Sequence, residues 1–223
     1  EYPCNEYDLM SHISNLNLGD SDTKGNDSWG WTDPGTQKEY ALMGINSGVV
    51  FINITNPTLP VILGTLKTNT VNSPWRDIKI YKDHAFIVSE ASGHGMQVFD
   101  LKRLRSVSSS PEAFTADKNF TEFGSAHNIV INKTSGYAYI VGPGGGNSPN
   151  GVTLFINIQD PINPKIEGSF SEGGDSHDAQ VITYDGPDSD YTGKEILIGS
   201  NGNEVMLADV SDKTNPIIIS RIS

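Results

Sequence analysis

The chain has a single cysteine, which excludes a disulfide-stapled scaffold and a cysteine-based zinc site. Positive charge is also scarce: 15 Lys and Arg stand against 27 Asp and Glu, a net charge of −12. So acidic a surface repels the phosphates of nucleic acid and of anionic lipid, and neither is expected as a partner. No apolar run approaches the ~18 residues of a membrane span and no secretory leader is present, so the expectation is a soluble chain without membrane insertion, already processed if it is exported. A sustained 3.6-residue apolar period is missing as well; residues 101–107 could form one turn of helix at most. No Gly-x-Ser-x-Gly elbow supports a hydrolytic triad. The glycine-rich stretch at 142–147 lacks the Gly-Lys-Ser/Thr of a phosphate cradle and reads as a turn.

What the chain does have is turn formers, with 23 Gly and 12 Pro, set between short apolar runs. At 223 residues it is long enough to bury a proper core. The runs repeat. Residues 50–54, 97–101, 154–158 and 206–210 each carry Asn or Asp next to last, and three of the four lead into a turn of the type Asn56-Pro57-Thr58-Leu59-Pro60. In the second copy the turn is replaced by a longer insert at 102–113. Upstream of each run lies a strand-like segment, at 40–44, 84–89, 136–141 and 195–199, and before that another, at 29–31, 78–81, 129–131 and 179–183. Each unit is therefore four short strands in about 50 residues, a period that belongs to the blades of a β-propeller.

The expectation is an all-β chain forming one β-propeller-type domain of four-stranded antiparallel blades, at about 26–67, 75–123, 126–171 and 176–223. A β-sandwich is the competing architecture, although it does not require the four copies to resemble one another. Residues 8–14 resemble an outer strand without inner partners, an orphan. One orphan plus four complete units predicts an open arc, closed by further blade material in a longer chain or by another copy.

Several longer motifs carry a family resemblance: Cys4-Asn5-Glu6-Tyr7-Asp8-Leu9-Met10-Ser11-His12, Trp29-Gly30-Trp31-Thr32-Asp33-Pro34, Trp75-Arg76-Asp77-Ile78-Lys79, His94-Gly95-Met96-Gln97-Val98-Phe99-Asp100-Leu101, Ala126-His127-Asn128-Ile129-Val130 and His177-Asp178-Ala179-Gln180. Together they resemble the choice-of-anchor B proteins, which are related to LVIVD-repeat propellers. The resemblance implies a β-propeller and a secreted or cell-surface setting, and it implies no reaction. Members of that family usually continue with more blade material and carry further cysteines, so ring closure and the state of Cys4 depart from the pattern.

A polar position recurs at the start of each innermost strand: Asp27, Asp77, Asn128 and Asp178, at spacings of 50, 51 and 50. In a repeat fold equal spacing means equal place, so all four are expected around one axis. The residues before them are Asn26, Arg76, His127 and His177. Such a ring could hold a metal or a small anion. It could equally tie neighbouring blades together through backbone N–H groups, and that structural role is favoured, because the permanent charge of Arg76 opposes a cation. Asp185, Asp188 and Asp190 gather in one loop that could take Ca²⁺, but without the order of an EF-hand; a solvated hairpin loop is the plainer reading. Sequons stand at Asn26, Asn53, Asn119 and Asn132; Asn119 and Asn132 fall in loop-like stretches and are the better acceptors of N-linked glycan in a eukaryotic source.

These features favour an extracellular structural or interaction module that assembles through open blade edges with other protein chains, including its own kind. The alternatives are a metal-assisted hydrolase, or a propeller that binds a small ligand or glycan at the axial ring with Trp29, Trp31 and Trp75 as stacking platforms. No nucleophile, base and orienting group occur together to favour catalysis.

Overall fold

The computed structural model describes residues 6–144, 152–172 and 176–223. The chain is all-β, built as four sheets of four or five strands, and no sheet closes into a barrel. The first sheet contains β1 (Gly25–Thr32), β2 (Glu39–Ile45), β3 (Gly48–Asn53) and β4 (Val61–Lys67). β5 (Arg76–Tyr81), β6 (His84–Ser89) and β7 (Met96–Asp100) open the second, followed by a 3₁₀ helix (Leu101–Ser106), β8 (Glu112–Phe114) and β9 (Lys118–Phe120). β10 (Asn128–Asn132), β11 (Tyr137–Val141), β12 (Thr153–Asn157) and β13 (Lys165–Phe170) form the third. The fourth is β14 (Ser176–Thr183), β15 (Glu195–Asn201), β16 (Val205–Asp209) and β17 (Ile217–Ile222). In each sheet the strands run up and down in chain order, and β9 takes the outer place in the second.

The recurrent Asn or Asp has one local cause in all four units. The side chains of Asn53, Asp100, Asn157 and Asp209 each end a third strand and accept the backbone N–H two residues on, at 2.9, 3.0, 3.0 and 2.9 Å. This Asx turn reverses the chain without leaving a strand-end donor unpaired. Asn56, Asp160 and Asp212 then repeat the device at the next turn, accepting from Thr58, Ile162 and Thr214. The third and fourth strands of these three units also share a bulge at the same register, at Phe51/Ile52, Phe155/Ile156 and Leu207/Ala208.

The sheets stack face to face in sequence order, with β1 beside β5, β5 beside β10, and β10 beside β14. Period-2 alternation gives each sheet a face toward its predecessor and a face toward its successor. Between sheets one and two, Tyr40, Leu42 and Phe51 meet Ile78, Ile87 and Phe99, with the Phe51 and Phe99 rings stacked at 4.6 Å. Between sheets two and three, Phe86, Met96 and Val98 meet Ile129, Ile140 and Ile156. Tyr139 and Phe155 of sheet three meet Leu197, Met206 and Ala208 of sheet four. Burial on both faces is why these strands read as near-continuous apolar runs.

Two expectations are corrected. Residues 8–14 enter no strand; they lead into a four-residue helix, α1 (Asn15–Leu18). Leu18, with Ile13 packed alongside, instead covers the predecessor face of sheet one, against Ile45, Val50 and Ile52. The surface needing cover there was a sheet face, and a face is covered by apolar side chains without strand pairing. The insert of the second unit also does more than bridge two strands: β8 returns to sheet one and pairs parallel with the outer edge of β4. Arg105 fastens this excursion, since its Nε and Nη2 reach both oxygens of Asp33, at 2.7 and 2.5 Å. Asp33 has no exposed surface, and the Arg105 guanidinium is the largest influence holding its carboxyl well below the usual carboxylate range.

Candidate functional site

The starts of β1, β5, β10 and β14 meet around one cavity of about 640 Å³, lined by Asn26, Asp27, Arg76, Asp77, Asn128 and Asp178 among others. The equally spaced positions thus share one site. His127 and His177 lie away from its wall: the His127 ring stacks on that of His177 at 4.2 Å, and its Nδ1 contacts the Glu90 carboxylate.

Within the cavity wall the carboxylates are structural ties. Asp27 Oδ2 accepts from Ile78 N of the next sheet at 3.0 Å, and Asp77 Oδ2 accepts from Ile129 N of the sheet after that at 2.8 Å. An innermost strand has a free edge on the cavity side, so its N–H groups have no ladder partner there; the preceding sheet's Asp supplies one. Asn26 adds another tie by accepting from Arg76 N at 2.7 Å. Asn128, where an amide replaces the carboxylate, makes no such bond among the described residues.

Asp178 repeats half of this pattern. Its Oδ1 accepts from Ala179 N at 2.7 Å, as Asp77 Oδ1 accepts from Ile78 N at 2.8 Å. Its Oδ2, equivalent to the oxygen with which Asp27 and Asp77 hold the following sheet, receives no hydrogen bond from a described residue.

Lys79 balances the acidic wall. Its Nζ lies 2.5 Å from Asp77 Oδ1 and 3.7 Å from Asp27 Oδ2, and 4.5 Å over the Trp29 ring. Burial and the adjoining Asp27 carboxylate nevertheless push the Asp77 carboxyl up to about 6, against the opposing pull of Lys79 and the Ile129 N–H.

Arg76 is 1% exposed and joins two sheets from inside. Its Nε donates to Ile45 O of sheet one at 3.1 Å, and Nη1 lies 3.0 Å from His94 Nε2. Burial lowers the Arg76 guanidinium to about 10 and the His94 imidazole to about 4, so the histidine is neutral beside the cation. Flanked by glycines, His94 looked like a turn residue in the sequence; only the packing makes it the partner of a buried guanidinium, and no local pattern marks it.

The remaining candidates separate cleanly. Asp185, Asp188 and Asp190 lie exposed in the β14–β15 loop, where Asp188 Oδ1 accepts from Asp190 N at 3.1 Å, so this loop is held by its own backbone bonds. Among the described residues no three His, Cys, Asp or Glu side chains gather as a metal site, which removes the support for a metal-assisted hydrolase and for Ca²⁺ in that loop. Trp31 is buried on Tyr40 and Trp29 lies under Lys79, so neither presents a free stacking platform; Trp75 is exposed but outside the cavity wall. Asn119 is exposed on β9. Asn132 is not the exposed loop acceptor its sequence suggests: it ends β10, is 5% exposed, and uses the Nδ2 that would carry sugar to donate to Thr183 Oγ1 at 3.0 Å. Asn26 Oδ1 is held by Arg76 N, and half-buried Asn53 caps its own turn at Thr55. Cys4 and residues 145–147 of the glycine-rich stretch lie outside the described residues.

No family model matches this chain, and no curated protein matches it. Among solved structures it is similar to an extracellular domain from B. thetaiotaomicron described as part of a one-component system, with a TM-score of 0.51 and 16% identity. The match covers 86% of this chain and 24% of that one, so this chain spans about a quarter of its neighbour's length. The likeness is one of fold. No helix among the described residues is long and apolar enough to cross a membrane.

Proposed function

We propose that the chain is a β-propeller module acting outside the cell as a structural or interaction element. Four units of one design, stacked successor face to predecessor face around a shared cavity, support the propeller reading. The resemblance to choice-of-anchor B proteins and the extracellular structural neighbour support the setting. An N-linked glycan on exposed Asn119 fits the same setting.

One observation carries the choice of interaction over catalysis. The polar groups of the cavity are largely consumed in holding sheets together, whereas the successor face of sheet four leaves Ile182 38% and Val205 39% exposed. Contiguous apolar surface of this kind marks a place where another macromolecule binds. A second reading, a small polar ligand in the cavity, draws on the uncommitted Asn128 amide and Asp178 Oδ2.

Thermal melting with divalent cations, amino acids and mono- and disaccharides separates the two. The interaction reading expects no saturable rise in Tm. A rise that Asp178→Ala abolishes would move the function into the cavity.

A further inference from the structure

The open face of sheet four can be compared position by position with the closed face of sheet two. The register that aligns Asp77 with Asp178 also aligns Tyr81, Phe86, Met96 and Val98 with Ile182, Ile198, Val205 and Leu207. The first set is buried under sheet three. In the second set Ile182 and Val205 are exposed and Ile198 and Leu207 half-buried, and Ile217 of the outer strand adds a further exposed side chain to the same face. Asp178 stands at the rim of this face with the oxygen that, in Asp27 and Asp77, accepts an N–H from the following sheet. Two independent features, an apolar face and an unfilled acceptor, thus ask for the same neighbour: a predecessor face with a free innermost N–H.

The molecule contains one surface of that description that is not covered by another sheet. It is the predecessor face of sheet one, made of Met43, Ile45, Val50 and Ile52, and Ser28 N follows Asp27 as Ile78 N follows Asp77. Its present cover is slight, consisting of Leu18 from a four-residue helix and a half-buried Ile13. A helix that short has no stability of its own and depends on the packing of Leu18.

We propose that the successor face of sheet four docks a second copy of this chain, head to tail, on the predecessor face of that copy's sheet one, and that the Ile13–Leu18 segment is a displaceable cover limiting the contact. The proposal deepens the interaction reading and rests on it. The new interface would continue the three already inside the molecule, with Asp178 Oδ2 accepting from Ser28 N of the second copy. A head-to-tail contact uses two different surfaces, so it closes into a ring or propagates as a fibre.

The test is sedimentation velocity of the full chain over a concentration series. Wild-type protein should pass from 24.1 kDa to multiples of it with rising concentration. Leu18→Ser, which loosens the cover, should tighten association by about fivefold or more. Leu207→Asp should hold the protein at the mass of one chain while its circular dichroism is unchanged; Ile182→Lys, at a more exposed position, serves the same purpose if Leu207→Asp does not fold. Wild type and Leu18→Ser both remaining single chains at high micromolar concentration would overturn the proposal, as would assembly that survives the charge on sheet four. Neither result bears on the ligand melts that test the interaction reading itself.

Discussion

Asp77→Asn separates what Asp77 does as a hydrogen-bond acceptor from what it does as a charge. The side chain is buried at 4% exposure and ties Ile129 N across the interface between sheets two and three. Its folded pKa of about 6 exceeds the ordinary 3.8, so the folded state binds the proton more tightly. This group therefore adds stability as pH falls from about 6 toward 4, by about 3 kcal/mol at ~1.4 kcal/mol per pH unit. His94 has the opposite sign. Its folded value of about 4 lies below the ordinary 6.5, so stability is lost as pH falls through that window, again by about 3 kcal/mol. In the wild type the two slopes oppose each other, and the stability profile between pH 6.5 and 4 should be shallow. Asparagine keeps a carbonyl oxygen for Ile129 N and abolishes the first slope. The variant should match or exceed wild type at pH 7 and then lose about 3 kcal/mol on acidification to pH 4, with the His94 slope no longer opposed. Urea denaturation at half-unit pH steps measures this. A variant profile parallel to that of wild type would refute the reasoning. Asp77→Ala supplies the contrast: with Ile129 N left unpaired it should fall about 1–3 kcal/mol below Asp77→Asn at pH 7.

Arg105→Ala should lower the urea midpoint at pH 7 by leaving the Asp33 carboxylate without its bidentate partner, and the deficit should shrink below about pH 4, where Asp33 of the unpaired variant takes a proton; an equal deficit at pH 7 and pH 3 would contradict the ion-pair account. Gly168→Ala should cost about 1–3 kcal/mol, because its Cβ would fall 1.9 Å from Lys213 O where sheet four approaches β13, and a neutral melt would count against that approach. In material from a eukaryotic secretory host, intact mass before and after glycosidase should show sugar that Asn119→Gln removes and Asn132→Gln does not.

Repetition made much of the architecture legible. Apolar runs with a penultimate Asn or Asp located the third strands because the Asx turn is a local device, made by a side chain and an amide two residues apart. Equal spacing likewise placed Asp27, Asp77, Asn128 and Asp178 at one cavity. Sequon patterns located asparagines but not their exposure, and Asn132 proved to be held in β10 by Thr183 of another sheet. The pairing of Arg76 with His94 and of Asp33 with Arg105 had no sequence signal, since those partners are 18 and 72 residues apart outside the repeat period.

The sequence by itself determined the four-strand unit, its length and its alternation, because these depend on interactions within a few residues and on a period written four times. The tertiary structure alone decided what happens where the period ends or is broken: β8 returning to the edge of β4, Leu18 lying over the first sheet, and the last sheet keeping a face without a neighbour. The physical reason is that a repeat specifies each unit's demand for a neighbour on either side, while which surface meets that demand at the two ends depends on long-range packing that no repeated residue encodes.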